Sequence, residues 1–459
     1  MLNQVETLSR VIGFIFSFKA YVMLPVVILV IALAVRMRVG QSLLSALKVG
    51  VGFAGIFIVF DFFVGQIAPA VTAMVHTRGL DFPVLDVGWP PLAAITWASA
   101  IAPLSIPLVL VINFAMLALN ITRTVDIDIW NYWHFALIGA LVEAASGSLL
   151  LGLAAAALLA VYTIVVADMS APLVERECGL KGISITTLTV NGLLPYGVAA
   201  NALIDRIPGL RRVTLTPRES GGKLSTIIDP MLIGVGVGAL FGVLAGYDVK
   251  KILELAINVA AVMFILPLCG GLIGQAMQPV SLQLKGLIQK RFPDKAVLYV
   301  GMDSGVILQN KSVIITGLLL MPISIGIAFI LPGNKVLPLG DLANLISMMS
   351  VIVLCTRGNV FRAVLIGVPI VAGCLLLSTH FAPLYTSMSS HSGSAAVQSY
   401  AGQITAFTDG GNAVRSWFYY LFRGKVWAFL LVPVVLGLMY LGWRNARTVE
   451  LERSRTGGK

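Results

Sequence analysis

The sequence predicts an all-α polytopic membrane protein with about eleven transmembrane helices. First, the 459-residue chain is 58% hydrophobic with a mean hydropathy of +0.93, and only 12% of its residues are charged. A soluble domain carries about 25% charged residues. Second, several apolar runs reach the roughly 20 residues that cross a bilayer, some with the help of neutral flanks. Third, the basic residues lie in short segments between these runs, which include residues 23–35, 313–331, 364–377 and 427–442.

The positions of the basic residues predict the topology. Because Lys and Arg collect in cytoplasmic loops, the net charge of +11 is a topology signal here and does not indicate a nucleic-acid partner. The first run is not expected to be a signal peptide, since Arg36 and Arg38 follow it directly. One pattern places every basic cluster in the cytoplasm, with the N-terminus outside and the C-terminus inside. Its spans lie near residues 19–36, 48–70, 102–120, 126–144, 149–167, 228–246, 252–275, 313–331, 339–357, 362–380 and 426–443.

Two apolar stretches do not fit this pattern as spans, namely residues 183–204 and roughly 392–421. Both are rich in Thr, Ser, Gly and Asn. We interpret them as re-entrant hairpins that enter from the cytoplasm and from outside, respectively. Irregular backbone at membrane depth needs cover from protein or a watery cavity. The alternative is that each is a surface loop or an interfacial helix.

A weak internal repeat appears when the chain is shifted by 213 residues. Residues 85–88 then fall on residues 298–301, and Asp128 falls on Asp341. Spans one to five with the first hairpin correspond to spans six to ten with the second, in opposite orientation. Such a five-plus-five inverted repeat is typical of transporters, which hold substrate near the midplane where the repeats meet. The last span lies outside the repeat.

The stretch LDVGWPP, residues 85–91, contains two candidate substrate-binding residues, Asp86 and Trp89. Gly88 and the two prolines interrupt a helix and leave backbone groups that a polyol could bind. Trp89 and Trp97 offer flat faces of the kind on which sugars stack. The alternative is an interfacial tryptophan belt beside a structural turn.

Asp303 is the strongest candidate in the second half of the chain, within VGMDSGVILQNKS, residues 300–312. An ionisable residue in an apolar context is a functional hypothesis by default. A carboxylate accepts hydrogen bonds from adjacent hydroxyls, so Asp303 would bind a polyol or help its hydroxyl to react. The alternatives are a helix N-cap or an ion pair with Lys311. Asn310 would add amide contacts.

The stretch VDIDIWNYWHF, residues 125–135, carries two aspartates and a histidine. We expect Asp126 and Asp128 mainly to cap the following helix and to hold the structure of the loop before it. His134 lies two turns deeper, where neutral imidazole would bind a hydroxyl or take a proton during phosphoryl transfer. Its alternative is a histidine satisfied by a neighbouring helix. Glu143, near the far end of the same span, is interpreted as a salt-bridge or gate residue.

The two hairpins supply the remaining candidate ligands, Thr187 and Thr189 in the first and Asp409 and Asn412 in the second. No Walker A motif is present, so ATP hydrolysis is not expected. The four histidines and four cysteines lack metal-ligand or redox spacing. We therefore expect neither a metal ion nor a cofactor.

Seven stretches of the chain, two of them discussed above, resemble one known family. They are LDVGWPP (85–91), ITWAS (95–99), VDIDIWNYWH (125–134), LAGYDVKK (244–251), PGNKVLPLGDLA (332–343), RGNVFR (357–362) and WRNAR (443–447). On these residues the chain resembles the galactitol-type enzyme IIC, the membrane subunit of bacterial phosphotransferase systems, within the superfamily that includes ascorbate transporters. The resemblance runs from near residue 20 to near residue 447.

The resemblance implies a multi-pass, homodimeric permease of the bacterial inner (plasma) membrane that moves galactitol or a related hexitol. It implies a separate enzyme IIB, which donates phosphate from a phosphocysteine to the incoming sugar, and a separate IIA. It also implies a single membrane domain, 1–459. Within it, 1–80 and 225–280 would form a dimerisation scaffold, 81–224 and 281–425 a mobile substrate-binding core, and 426–459 the last span and basic tail.

Carried over residue by residue, the family site falls on Trp89, His134 and Asp303, with the first hairpin. The chain departs from the expected pattern at residues 186–188, where Thr-Thr-Leu stands in place of a Pro-His-Gly-like tip. This departure leaves another hexitol or another sugar open as the substrate. Asp303 and His134 are the candidate catalytic residues, and no phosphorylated residue of the chain's own is expected.

Two other functions stay open on the sequence. A proton-coupled secondary transporter of a polyol or sugar acid would use Asp303 or Glu143 and release its substrate unmodified. A channel would need a continuous polar stripe, which the sequence does not display.

Overall fold

The computed structural model describes residues 20–77, 81–97, 99–217, 229–291, 298–389 and 402–456. Within these residues, six helices are long and apolar enough to cross a membrane. They confirm a mainly helical polytopic membrane protein. A seventh crossing would come from Trp89–Trp97 and Ala102–Ala118, two helices bent by 93° at a short break. The six helices are Val39–Val75, Leu149–Cys178, Val249–Val280, Lys311–Ile330, Val360–Ser389 and Val426–Ser454.

The first half of the chain alternates long helices with very short strands. The elements are α1 (Ala20–Ala34), α2 (Val39–Thr77), β1 (Val84–Asp86), α3 (Trp89–Trp97), α4 (Ala102–Ala118), β2 (Thr124–Asp126), a 3-10 turn (Ile129–Tyr132), α5 (Trp133–Ser146), α6 (Leu149–Cys178), β3 (Ile183–Ile185), α7 (Leu188–Asn191), α8 (Leu194–Ile204) and a 3-10 turn (Leu210–Arg212).

The second half continues with a comparable series. The elements are α9 (Pro230–Leu244), α10 (Val249–Arg291), β4 (Tyr299–Met302), a 3-10 turn (Ser304–Ile307), α11 (Lys311–Ile330), β5 (Val336–Leu337), a 3-10 turn (Leu342–Asn344), α12 (Leu345–Met348), α13 (Ser350–Cys355), α14 (Val360–Ser389), β6 (Gln403–Thr405), α15 (Phe407–Gly410), α16 (Ala413–Phe422), α17 (Val426–Leu430) and α18 (Val432–Thr456).

Local chemistry sets where the long helices begin and end. The hydroxyl of Ser148 accepts a hydrogen bond from the Leu151 N–H at 3.3 Å and caps the start of α6. The same helix ends at Gly179, whose φ of +71° is a conformation that glycine adopts without steric cost. Asn310 caps α11 by accepting from the Ser312 N–H at 2.9 Å.

The strands form two parallel three-stranded sheets, each of which joins the two halves of the chain. In the first sheet, β1 of the first half lies between β5 and β6 of the second half. In the second sheet, β4 of the second half lies between β2 and β3 of the first half. The backbone pairing therefore fixes the two halves against each other near the ends of these strands.

The sheets correct the prediction of an all-α protein. The predicted spans 126–144 and 339–357 are not continuous helices, since each begins with a 3-10 turn and the helix that follows is short or broken. Each stretch begins at or just after a strand, β2 or β5. The backbone of that strand forms hydrogen bonds with a strand of the other half of the chain and not with a preceding turn of helix. The number of crossings and their orientation stay predictions.

The two predicted hairpins have similar described parts. The first, residues 183–204, consists of β3, α7 and α8. In the second, residues 392–401 lie outside the described residues, and the remainder contains β6, α15 and most of α16. In each hairpin a strand leads into a four-residue helix and then a longer one. The residues of the short helix, which we call the tip of the hairpin, are buried.

Helices α2 and α10 pack closely through glycines. A Cβ atom on Gly52 would lie 3.0 Å from the Cys269 carbonyl oxygen, and one on Gly270 would lie 2.8 Å from the Gly305 carbonyl oxygen. Small residues let helix backbones approach in this way inside membranes. The close approach brings α2 and α10 against the turn that follows β4.

The last helix, α18, packs on α6 and α8 and is held to the body of the protein by three ion pairs at its C-terminal half. Arg123 lies 2.9 Å from Glu450, and Arg357 lies 3.5 Å from Glu452. Arg453 of the helix pairs with Glu175. The more N-terminal part of the helix exposes a largely apolar surface, as expected for a span that faces lipid.

Candidate substrate-binding cavity

One cavity is lined by side chains from both halves of the chain, including several from α2 in the first half. It encloses about 670 Å³ not occupied by protein atoms, part of it open to the exterior. Its wall combines carboxylate, hydroxyl, amide and imidazole groups with large aromatic side chains. Six of the nine candidate substrate-binding residues from the sequence lie on this wall: Trp89, His134, Thr187, Thr189, Asp303 and Asp409.

Asp303 follows β4 and is held by three donors. Its Oδ1 accepts a hydrogen bond from the Gly305 N–H at 2.6 Å. Its Oδ2 accepts from Asn131 Nδ2 at 2.7 Å and from Thr187 Oγ1 at 3.2 Å. The N-cap alternative is therefore correct for Oδ1, while the side chain also lines the cavity. Among the described residues, Lys311 forms no ion pair with it.

The tips of the two hairpins meet at the cavity wall. The hydroxyl of Thr189, in α7, donates a hydrogen bond to Oδ1 of Asp409, in α15. The Asn344 amide lies 3.5 Å from Oδ2 of Asp409. Both Thr189 and Asp409 are buried. The short interior helices thus carry one polar residue each to the same point of the wall.

His134 also lies on the wall, near the start of α5, and a buried arginine contacts it from behind. Nη2 of Arg415 lies 2.8 Å from His134 Nδ1, and Nη1 of Arg415 donates to the Asp409 carbonyl oxygen. The Arg415 side chain is only 1% exposed. The alternative prediction, that a neighbouring helix satisfies His134, is therefore correct for one ring nitrogen.

Aromatic side chains form one side of the cavity. Trp89 lies between Phe57, at a ring-centroid distance of 5.6 Å, and Trp133, at 6.4 Å with the two rings 22° from parallel. The Trp89 N–H of the backbone donates to Asp341 Oδ1 at 2.7 Å, which fixes the start of α3. Trp89 therefore has a defined position in the cavity wall.

Three candidates from the sequence lie off this wall, and their polar atoms hold the backbone. Asn310 and Asn412 are the N-caps of α11 and α16. Asp86 accepts four backbone hydrogen bonds, at 2.9–3.1 Å, and so ties β1 to the segments before α12 and α15. A carboxylate with four such donors is already satisfied. Its donors are the N–H groups of Gly88, Leu339, Asp341 and Phe407.

The predicted capping role of Asp128 is wrong. It precedes a 3-10 turn as expected, but its side chain makes no cap hydrogen bond. Its Oδ2 accepts from the Asn131 amide at 2.6 Å. Asp341 behaves likewise, since its Oδ2 accepts from Thr408 Oγ1 at 2.6 Å. The partner of Asp128 lies only three residues along the chain, whereas the partner of Asp341 lies in the second hairpin, 67 residues away.

Several residues of the wall were not predicted from the sequence. Asn131 joins Asp128 to Asp303, and the hydroxyls of Ser304 and Ser347 lie 2.7 Å apart. These uncharged residues give no signal in a sequence. Arg415 does give one, because it is a charged residue inside an apolar hairpin, and the same rule that selected Asp303 would have selected it. Within the described residues, no cluster of three or more His, Cys, Asp or Glu is arranged to hold a metal ion.

The fold and the cavity define a class: a helical membrane protein with two short parallel sheets and a pocket whose wall combines aromatic side chains with hydroxyls, amides, an imidazole and two carboxylates, a wall suited to a small hydroxylated solute. Comparison with known proteins identifies the family. Residues 14–398 match the model of the family described as "PTS system sugar-specific permease component". The chain belongs to this family of phosphotransferase-system permeases.

Two individual relatives match over nearly the full length of both chains, and a third matches over most of it. The chain is 33% identical over 446 residues to the "PTS system galactitol-specific EIIC component" of Escherichia coli strain K12, which covers 96% of this chain and 97% of the relative. The protein of the same name from Escherichia coli O157:H7 matches to the same extent. A "Putative permease IIC component" of strain K12 is 35% identical over 375 residues, covering 82% of this chain and 86% of that protein.

Proposed function

We propose that this sugar-specific permease carries galactitol or a closely related hexitol, and that the cavity containing Asp303 and Asp409 is its binding site. The family match supports the permease activity. The hexitol comes from the names of the two full-length relatives. The substrate would leave the cavity as its phosphate, because a separate IIB subunit would phosphorylate it during transport.

The composition of the wall is the observation that carries this proposal. Each hydroxyl of a polyol can donate one hydrogen bond and accept others, and carboxylates are strong acceptors. Two carboxylates, Asp303 and Asp409, line the cavity beside Thr187, Thr189 and Asn131. Trp89 adds an aromatic face next to them.

The charge of the wall favours a neutral polyol over the sugar acid of the alternative hypothesis. Among the described residues that line the cavity there is no Lys and no Arg. An anionic substrate would meet two carboxylates, and the nearby cation Arg415 lies off the wall and is already 3.7 Å from Asp409 Oδ1. Burying a further negative charge there is costly. The same reasoning disfavours binding of the phosphorylated product, which aids its release.

The proposed architecture is an inverted repeat with two hairpins, residues 20–204 against residues 230–422, and a last span outside it. The exchange of central strands between the two sheets supports it. Asp86 and Asp303 support it as well. Each directly ends or follows a central strand and accepts from the N–H two residues further along, Gly88 at 3.1 Å and Gly305 at 2.6 Å.

On this basis α1, α2, α9 and α10 would form the scaffold of a homodimer in the bacterial inner membrane. The N-terminus would lie outside and the C-terminus inside. The remaining helices of the repeat would form a core that moves past the scaffold and exposes the cavity to each side in turn. The basic cytoplasmic segments would receive IIB, which is itself phosphorylated by IIA.

The proposed chemistry is an in-line phosphoryl transfer. A hydroxyl oxygen of the bound hexitol would form the new P–O bond while the S–P bond of the IIB phosphocysteine breaks and the cysteine leaves as a thiolate. The hydroxyl proton would pass to a carboxylate of the wall, Asp303 or Asp409. Because such transfers depend mainly on positioning, the permease would contribute by holding the hydroxyl in place.

Uptake of radiolabelled galactitol into vesicles, with and without phosphorylated IIB, tests this function. We expect labelled galactitol phosphate inside the vesicles only when phosphorylated IIB is supplied. Accumulation of free galactitol driven by a proton gradient would instead support the proton-coupled transporter. Parallel assays with other hexitols and pentitols would define the substrate.

A further inference from the structure

Arg415 is a buried cation, and the proposed transport cycle assigns it no role. It is 1% exposed and does not line the cavity. Its guanidinium contacts His134 Nδ1 at 2.8 Å, the Asp409 carbonyl oxygen, Asp409 Oδ1 at 3.7 Å and the Tyr385 side chain. It also lies 5.7 Å above the ring of Trp133. The carboxylate of Asp409 offsets its charge, and the ring and carbonyl hold its plane.

The contact with His134 decides where the imidazole proton lies. A guanidinium group has only N–H donors and no acceptor, and it stays protonated in proteins. His134 Nδ1 lies 2.8 Å from Arg415 Nη2 and 3.5 Å from Asp409 Oδ1. Because the shorter contact is to a group that can only donate, Nδ1 is the acceptor and carries no proton. A doubly protonated imidazole would point a second N–H at the arginine. The neutral ring must then carry its single proton on Nε2.

The other ring nitrogen, Nε2, has no partner among the residues that the structure describes. Within the described part of the chain, His134 Nε2 is fully buried without a hydrogen-bond partner. His134 as a whole is 1% exposed and lies on the wall of the cavity. A buried N–H without a partner is unusual in folded proteins. An oxygen atom of a ligand in the cavity would supply the missing acceptor.

We propose that Arg415 is a positioning residue that keeps His134 in the Nε2–H tautomer, so that His134 donates a hydrogen bond to a substrate hydroxyl oxygen and does not act as the base. This proposal deepens the proposed function and rests on it for the identity of the ligand. It divides the roles in the wall. Asp303 and Asp409 accept hydrogen bonds from hydroxyls, and His134 donates one. Of the two candidate catalytic residues, only Asp303 keeps the ability to take a proton.

The tautomer can be measured without any substrate. Protein labelled with 15N-histidine would be studied by NMR in lipid nanodiscs near neutral pH, and the His134 signals assigned by their loss in His134→Gln. We expect an unprotonated Nδ1 and a protonated Nε2 in the wild type. In Arg415→Met we expect a tautomer mixture. A protonated Nδ1 in the wild type, or an unchanged spectrum in Arg415→Met, would overturn the proposal.

A conservative variant keeps the test valid if Arg415→Met fails to fold. Arg415→Lys retains the positive charge beside Asp409, and its ammonium has only donors. We expect Arg415→Lys to preserve the Nε2–H tautomer to a large extent. A Lys variant that folds but loses this tautomer would contradict the proposal, because a cation with only donors would then not be sufficient to hold it. Retention of the tautomer in both Met and Lys variants would contradict the proposal.

Galactitol binding and turnover then separate donor from base. The terminal amide of His134→Gln can place an N–H near the Nε2 position, whereas that of His134→Asn is too short. We expect Asn to weaken galactitol binding about tenfold more than Gln. Normal binding in both variants, with a lost rate of phosphorylation at saturating galactitol, would assign His134 as the base. If the wild type does not bind galactitol, the substrate proposal fails, while the NMR measurement still decides the role of Arg415.

Discussion

The Nδ2 atom of Asn131 lies 2.7 Å from Oδ2 of Asp303. The same atom lies 2.6 Å from Oδ2 of Asp128, so one amide donates to two carboxylates, that of the buried Asp128 and that of the half-buried Asp303. Asn131 belongs to the first half of the chain and Asp303 to the second. The hydrogen bond therefore crosses the boundary between the halves and sets the orientation of the carboxylate in the cavity.

Asp303→Asn should strongly weaken galactitol binding. The new amide has one acceptor oxygen in place of two and would face the Asn131 amide with a donor on one side. Because hydrogen bonds to a charged group contribute about 1.5–3 kcal/mol, we expect a loss of affinity of roughly ten- to a hundredfold. Isothermal titration with galactitol in detergent measures the change.

Asp81→Asn is the matched control, since Asp81 is exposed and lies off the cavity wall. It makes the same chemical change and should leave affinity unaltered. Equal affinity in Asp303→Asn and Asp81→Asn would remove Asp303 from the binding site.

Thr187→Val should reduce both stability and binding. The Thr187 hydroxyl donates to Asp303 Oδ2 at 3.2 Å and accepts from the Ser304 N–H at 3.1 Å. Valine has the same shape and leaves that N–H without its partner, at a cost of about 1–3 kcal/mol. A lower melting temperature together with weaker galactitol binding is expected.

Thr163→Val provides the comparison for that measurement. Thr163 is also buried, but its hydroxyl donates only to the Leu159 carbonyl of its own helix, at 2.8 Å. We expect nearly unchanged binding in this variant. An equal loss of affinity in the two variants would mean that the effect of Thr187 is general and does not act through Asp303.

Trp89→Ala should weaken galactitol binding, whereas Trp89→Phe should largely preserve it. Phenylalanine keeps a flat ring between Phe57 and Trp133, and alanine removes it. Aromatic contacts contribute about 0.5–1.5 kcal/mol beyond the area they bury, so a loss near tenfold is expected for alanine. Trp443→Ala, on the exposed side of α18, should have no effect on affinity. Similar affinities in both Trp89 variants would argue against a stacking role.

Gly411→Ala should strongly lower the free energy of unfolding, because the added methyl group has no room. Gly411 joins α15 to α16, and a Cβ atom there would lie 2.7 Å from both Cys374 Cα and the Phe407 carbonyl oxygen. Cys374 lies in α14 and Phe407 in α15, so relief of the contact would require a backbone shift of α14 or of the second hairpin. Thermal unfolding in detergent should show a clear decrease, of about 1–3 kcal/mol or more in unfolding free energy.

Gly236→Ala makes the same substitution in α9, where a Cβ atom would have no neighbour within 4 Å. Alanine favours helix over glycine by about 1 kcal/mol, so this variant should be at least as stable as the wild type. Equal stability of the two variants would mean that the hairpin is not packed as described.

The ionisable residues on the cavity wall were predicted from the sequence alone. In a chain with 12% charged residues, an aspartate or histidine between apolar runs is costly to bury, so its position alone indicates a role. Asp303, His134 and Asp409 were found in this way. Arg415 obeys the same rule but was not selected. Its contacts with His134 and Asp409 depend on how α16 turns back on the hairpin tip, which no local pattern encodes.

The sequence by itself determined that this is a polytopic membrane protein, because long apolar runs have no other stable environment. Its similarity to sugar-specific permeases of phosphotransferase systems is likewise readable from the chain. Only the tertiary structure decided that two parallel sheets join the halves and that Asn131, Asp303 and Thr187 meet. Strands of two to four residues carry no periodic signal, and their partners lie more than a hundred residues away. Such pairing becomes favourable only once both halves have folded around each other.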